Sequence, residues 1–162
     1  MQNYVQKSLL AFAFSLVCIP MAAQAVAIGQ QVPAVLQTQN VQFTYSNPNS
    51  FYACDYVVNE TKSMLQGLGA QNVNVQCNGG IPYENFNSVS ATFSTVDPAT
   101  TSEKSTLMGT ISNATLEAHE SCDLHLRIYE NVIKSFQVYA QQENDTCWDS
   151  QGDFQANVTV LK

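Results

Sequence analysis

Residues 53–77 read ACDYVVNETKSMLQGLGAQNVNVQC, with a Cys-Asp pair at the start and a cysteine at the end. Ala53, Val57, Met64 and Leu68, with Cys54, Val58, Thr61 and Leu65 beside them, recur at helical spacing and make an apolar stripe. Asn49 or Ser50 is placed to cap this helix by accepting hydrogen bonds from its first unpaired amides. Asp55 falls in the first turn, where the helix dipole favours a negative charge. Gly67 and Gly69 end the helix. Val73, Val75 and Cys77 then alternate with polar residues, the period of a strand. Asn78-Gly79-Gly80 turns the chain, and Val89, Ala91 and Phe93 form the next strand. Upstream, Val41, Phe43 and Tyr45 alternate as a half-buried strand closed by Asn47-Pro48-Asn49.

The same device returns at Ser121-Cys122-Asp123, and Cys147 closes that segment. Leu124, Ile128, Val132 and Phe136 stack at steps of four, with Tyr129 and Ile133 alongside. Leu124, Leu126 and Ile128 also alternate, so a strand competes. Ser121 as a cap, Asp123 in the first turn and the Glu130/Lys134 pair favour a helix. A less regular strand over about 107–116, with Gly109 as a bulge, precedes this helix. Strands from Val138 and over Phe154 to Leu161 follow it. Asp97 to Ser105 is a Pro-, Thr- and Ser-rich loop between halves.

Laying 54–69 on 122–137 leaves only Cys and Asp identical, but five aligned positions are apolar in both: Tyr56/Leu124, Val58/Leu126, Met64/Val132, Leu65/Ile133 and Leu68/Phe136. The expected fold is α+β: two βαββ-like halves, about 39–96 and 106–162, in one domain over 39–162. Mainly antiparallel strands form one curved or split sheet with two packed helices. A helix from Cys54 to Leu68 rises about 21 Å, and a strand from Asn72 to Cys77 returns about 17 Å. The two sulfurs then meet at one level. The expected pairing is Cys54 with Cys77 and Cys122 with Cys147, one disulfide per half.

The first 25 residues read as a secretory signal. Lys7 is followed by an apolar run from Leu9 to Cys18, and Met21-Ala22-Ala23-Gln24-Ala25 ends on small residues at the cleavage positions. The run is too short for the ~20 residues of a membrane span. Lipidation at Cys18 competes, but Val17 stands where a lipobox has a small residue. Cleavage after Ala25 leaves five Lys and Arg against thirteen Asp and Glu, a formal charge of −8. Such a balance excludes an electrostatic footprint for nucleic acid or an anionic membrane surface. Four cysteines remain, the even number expected of disulfides in an exported chain. Four Asn-x-Thr sequons, at Asn59, Asn113, Asn144 and Asn157, fall in a chain rich in Asn, Ser and Thr, which produces them by chance. The signal ending Ala-Gln-Ala is of bacterial type, so the expected location is a periplasm or outside the cell. Residues 26–38 have no clear period and read as a flexible N-terminal arm. Val26, Ile28, Val32, Val35 and Leu36 make it apolar enough to dock by strand addition.

The pattern C-D-x-V…L-G-A-x-x-V-x-V-x-C-x-G-G-I, from Cys54 to Ile81, resembles small, uncharacterised exported disulfide-containing proteins of Gram-negative bacteria. Their second half is similar to Cys122-Asp123-Leu124, the following helix, Cys147 and a last strand ending Val160-Leu161. The resemblance covers most of the chain beyond the signal, and its motifs are structural, so it implies no activity. By general character, the chain is also similar to accessory subunits of the type IVB secretion outer-membrane complex.

The one polar cluster is Glu117, His119, Glu120, Cys122, Asp123 and His125. His119-x-x-Cys122-x-x-His125 has zinc-ligand character only if Cys122 is reduced, and an oxidising compartment opposes that. No C-x-x-C or G-x-S-x-G is present, and Asn78-Gly79-Gly80 does not open a helix. Trp148, next to Cys147, is expected to pack on the disulfide. Phe51, Tyr52 and Tyr56 are expected in the core. No catalytic residue, cofactor or metal is assigned. The expected function is a non-enzymatic periplasmic interaction protein, an accessory of an envelope or secretion-system assembly with other envelope proteins as partners. The rival is a small-ligand binder or an inhibitor of a secreted enzyme.

Overall fold

Val75, Cys77, Val89, Ala91 and Phe93 put their side chains on one face of a hairpin, and the helix before it lays Val57, Thr61, Met64 and Leu65 on that face. This local unit sets the architecture. The computed structural model describes residues 27–80, 86–104, 106–148 and 151–162. Along the chain, β1 (Gln31–Tyr45), α1 (Cys54–Gly67), β2 (Gln71–Gly79) and β3 (Asn87–Pro98) come first. They are followed by β4 (Leu107–Ala118), α2 (Cys122–Val132), a 3-10 turn (Ile133–Ser135), β5 (Val138–Asp145) and β6 (Phe154–Leu161). The fold is α+β: two helices and one six-stranded antiparallel sheet in the order β2-β3-β1-β4-β6-β5. Among the described residues no helix is long and apolar enough to cross a membrane.

β1 and β4 join through four residue pairs, Gln31↔Thr110 to Ala34↔Leu107. Past that seam they run in opposite directions, β1 to Tyr45 and β4 to Ala118. In a flat sheet those ends would stand roughly 70 Å apart at about 3.3 Å per residue. Yet the Tyr45 hydroxyl donates to Asp123, five residues beyond Ala118. The sheet is therefore curled about its middle, with the helices inside the curl. Each helix also reaches the other end of the sheet: α1 touches β4, and α2 lies on β1. Phe136, just past α2, stacks on Phe93 of β3 at 5.8 Å. Lys162 Nζ donates to the Gly67 carbonyl at the end of α1 (2.8 Å), where a cation meets the negative end of the helix dipole. One core accordingly holds Phe43, Leu65 and Phe93 together with Leu124, Ile128 and Phe154.

Residues 31–38 correct the expectation of an arm over 26–38, because they belong to β1 and pair with β3 and β4. The strand was hidden by a change of buried face along its length: Ala34 is buried from one side, Phe43 and Tyr45 from the other. Ala34, Val96, Ile111 and Leu161 form a small second cluster at the seam. No alternation survives such a switch, so a period-two search fails there. The helix caps also differ from expectation. Neither Asn49 nor Ser50 caps α1, whose first flanking residue is Ala53, and Ser121 precedes α2 at φ 56 with no side-chain cap bond. Gly109 is paired with Val32 and marks no bulge. A Cβ there would sit 2.9 Å from Leu161 and Val96, so glycine is required for the seam to close. The expectations of a secretory signal over residues 1–25 and of Cys18 within it fall outside the described residues.

Both disulfides join the start of a helix to the region of an edge strand. Cys54 is bonded to Cys77 of β2, and Cys122 to Cys147 just past β5, with Cα separations of 5.5 and 5.4 Å. Peptide mapping without reduction is expected to recover these two links and no crossed pair. Replacing Cys54 and Cys77 together by Ala should lower the unfolding free energy by about 2–5 kcal/mol, read from urea transitions.

Candidate functional site

Tyr52, Tyr56 and Glu60 follow one another at steps of four, so they lie along one side of α1 and its approach. Opposite them stand Ser121, Asp123 and His125 at the start of α2. The contacts form a ladder. Tyr52 donates to Asp123 Oδ1 (3.0 Å), Tyr56 donates to Ser121 Oγ (3.1 Å), and His125 Nε2 meets Glu60 Oε2 (2.9 Å). Tyr45 from the end of β1 and Asn47 Nδ2 (2.6 Å) donate to Asp123 Oδ2. One carboxylate thus accepts from three donors on β1 and the connection to α1. The rings of Tyr45, Tyr52 and Tyr56 pack in series at 5.4 and 5.6 Å.

The electrostatics keep the Tyr45 and Tyr52 phenols protonated. Burial pushes the Tyr45 hydroxyl far above its ordinary value, and the adjacent Asp123 carboxylate adds to the rise. Burial raises Tyr52 as well. Burial pushes Tyr129, on the inner face of α2, up to about 12, helped by the Glu143 carboxylate. None of the three supplies an anion near neutral pH.

His125 has both ring nitrogens engaged. Nδ1 faces the Ser121 carbonyl at 3.0 Å, which can only accept, so this nitrogen carries hydrogen. Nε2 faces Glu60 Oε2 at 2.9 Å. The pair is largely buried and bridges α1 to α2. Beside it opens a cleft of about 220 Å³ whose walls include Glu60, Ser63, Thr115, Glu117, His125 and Phe154.

The sequence cluster is therefore divided among separate tasks. Cys122 is in a disulfide, Asp123 holds the tyrosines, and His125 pairs with Glu60. His119 points outward to Asp153 at 2.8 Å, and that hydrogen bond raises its pKa. Glu117 accepts from Gln155 (2.9 Å), and Glu120 is exposed in the turn before α2. Among the described residues no group of three His, Cys, Asp or Glu is placed to hold a metal ion. The partners Tyr45, Asn47, Tyr52 and Glu60 were missed from sequence, although the step-of-four run from Tyr52 to Glu60 was a usable signal.

The aromatic residues divide differently from expectation. Tyr52 and Tyr56 are half-buried against the core, whereas Phe51 is 41 % exposed. Trp148 does not pack on the disulfide and is 83 % exposed. Its backbone is tied to that of Gln151 by a pair of hydrogen bonds.

Asp123→Asn removes the charge that three donors share and should cost about 2 kcal/mol or more in urea unfolding, with Tyr45→Phe costing less. The pH dependence has a definite sign. Tyrosines whose folded pKa is raised hold their protons while the unfolded chain releases them above about pH 10, so stability is complete below that pH and falls above it. Tyrosinate absorbance should rise together with loss of the fold in alkaline titration, and Tyr45→Phe should lessen the loss. No family model, no curated protein and no solved structure matches this chain.

Proposed function

We propose that this chain is an exported, non-enzymatic interaction protein, a periplasmic or secreted accessory subunit of an envelope or secretion-system assembly, built from two βαββ units. One observation carries the functional part. The groups with chemical potential, Asp123, His125, Glu60 and the tyrosines, are spent on joining α1 to α2 and to β1. Large apolar side chains meanwhile stand free at the surface: Ile28, Leu36, Phe51, Phe86, Met108 and Trp148 are each at least 41 % exposed. Large apolar side chains held in water on a rigid scaffold favour association rather than catalysis. Two disulfides suit an oxidising compartment. The two-unit reading is supported by the parallel element order, β1-α1-β2-β3 and β4-α2-β5-β6, and by Cys separations of 23 and 25.

The rival reading, a small-ligand binder or an inhibitor of a secreted enzyme, rests on the cleft beside His125. At about 220 Å³ it is below the ~300 Å³ from which ligand pockets usually start, whereas a wider cleft of about 580 Å³ beside Tyr45, Asn47, Asp123 and Arg127 is above it, so experiment must decide between the readings. Chemical crosslinking in intact cells of the source organism, read by mass spectrometry, separates the two. The interaction reading expects the same envelope protein in repeated experiments. A stoichiometric small molecule in the purified protein, with no crosslinked partner, would overturn it.

A further inference from the structure

Trp148 is the chain's single tryptophan and the most exposed of its large apolar side chains among the described residues, at 83 %. It stands on the hairpin joining β5 to β6, and the backbone there is constrained from several directions. Trp148 N–H donates to the Gln151 carbonyl (2.9 Å) and Gln151 N–H returns to the Trp148 carbonyl (3.0 Å). Thr146 N–H donates to the Asp153 carbonyl (2.9 Å), and Asp153 N–H donates to Thr146 Oγ1 (3.2 Å). Cys147, between them, is bonded to the first residue of α2. Gly152 has φ 97, and any Cβ there would run into the Thr146 carbonyl, so the turn is closed by a residue that only glycine satisfies. The backbone beneath this exposed indole is fixed before it meets anything. That lowers the entropy cost of binding. Tryptophan is also the residue type most enriched at the energetic centres of protein interfaces.

The charge along the hairpin itself is one-sided. Between Ser135 and Leu161 the sequence has no Lys or Arg, but it has Glu143, Asp145, Asp149 and Asp153. Glu117 and Glu120 lie at the end of β4 and in the turn before α2, His119 is already engaged by Asp153, and Arg127 and Lys134 share a cleft with Glu143 on the α2 side of β5. An acidic rim around an apolar tip repels an anionic lipid surface. It equally repels a second copy of this chain, whose formal charge is −7. It is complementary to a basic protein surface.

We propose that the β5–β6 hairpin is a docking element, with Trp148 inserted into an apolar pocket of a partner protein whose rim is cationic. This deepens the interaction reading above and rests on it. The indole supplies the buried contact, and Glu143 and Asp145 supply steering and register.

The test uses the full exported protein and begins with its own fluorescence. Caesium ions should quench Trp148 more strongly than iodide at equal ionic strength, and the reverse order would overturn the acidic setting. A photo-crosslinking residue is then placed at position 148, and in parallel at 51 and 108, in cells of the source organism. The protein captured from position 148 is purified, and its affinity is measured for the unmodified chain, Trp148→Ala, Trp148→Phe and the Glu143→Gln/Asp145→Asn double variant. Because the side chain is exposed, Trp148→Ala should melt as the parent does. We expect its Kd to rise by roughly 30-fold or more. Trp148→Phe should recover part of the loss. The double variant should associate more slowly and lose much of the salt dependence of the association rate. An unchanged Kd for Trp148→Ala, or capture from 51 or 108 but not from 148, would overturn the hairpin and leave the interaction reading standing. Absence of capture from all three positions would overturn both. A blue shift of Trp148 emission on phosphatidylcholine vesicles would overturn the protein partner in favour of a lipid surface.

Discussion

The Asp123 carboxylate closes the curl of the sheet. It accepts from Tyr45 at the end of β1 and from Asn47 and Tyr52 just beyond it, while its own helix follows β4. Two strands that separate from a four-pair seam are thereby brought back to one point. A carboxylate suits that task because charge-assisted bonds are about twice as strong as neutral ones, and one oxygen pair can receive several donors. The donors must then stay protonated, and the burial that raises Tyr45 and Tyr52 ensures it.

Closing the curl also brings side chains from both ends of the sheet into one core. Past the seam, β1 and β4 each leave one side unpaired by a neighbouring strand. An open edge is a template for aggregation unless something covers it. Here the cover is crossed: α2 lies on β1, α1 reaches β4, and Lys162 caps the end of α1. The outer edges are managed by other means. β2 and β5 both carry register irregularities, β5 adds Glu143 and Asp145, and each disulfide fastens the neighbourhood of one edge to a helix start. The staples thus restrain the parts of the sheet that have a strand on one side only. On the β5–β6 hairpin, Trp148 is the most exposed large apolar side chain among the described residues.

The sequence by itself determined both helices, both disulfides and the α+β class. Each rests on an interaction between residues close along the chain. Helical periodicity needs only steps of three and four, and the sulfur pairing needs only that a helix and its return strand have similar lengths. The buried stripe of Val57, Thr61, Met64 and Leu65 and that of Leu124, Ile128 and Val132 were legible for that reason. The tertiary structure alone decided the rest. The first eight residues of β1 change their buried face at the seam, so their alternation cancels and no local rule finds them. His119, Cys122, Asp123 and His125 are adjacent in sequence, but helix geometry turns them in different directions, and partners 65 to 78 residues away claim Asp123 and His125. Trp148 beside Cys147 suggested a packed ring, because adjacency to a disulfide is visible in sequence and the direction of a hairpin turn is not. That direction follows from the Trp148–Gln151 pair and the positive φ of Gly152, which exist only once β5 and β6 have paired.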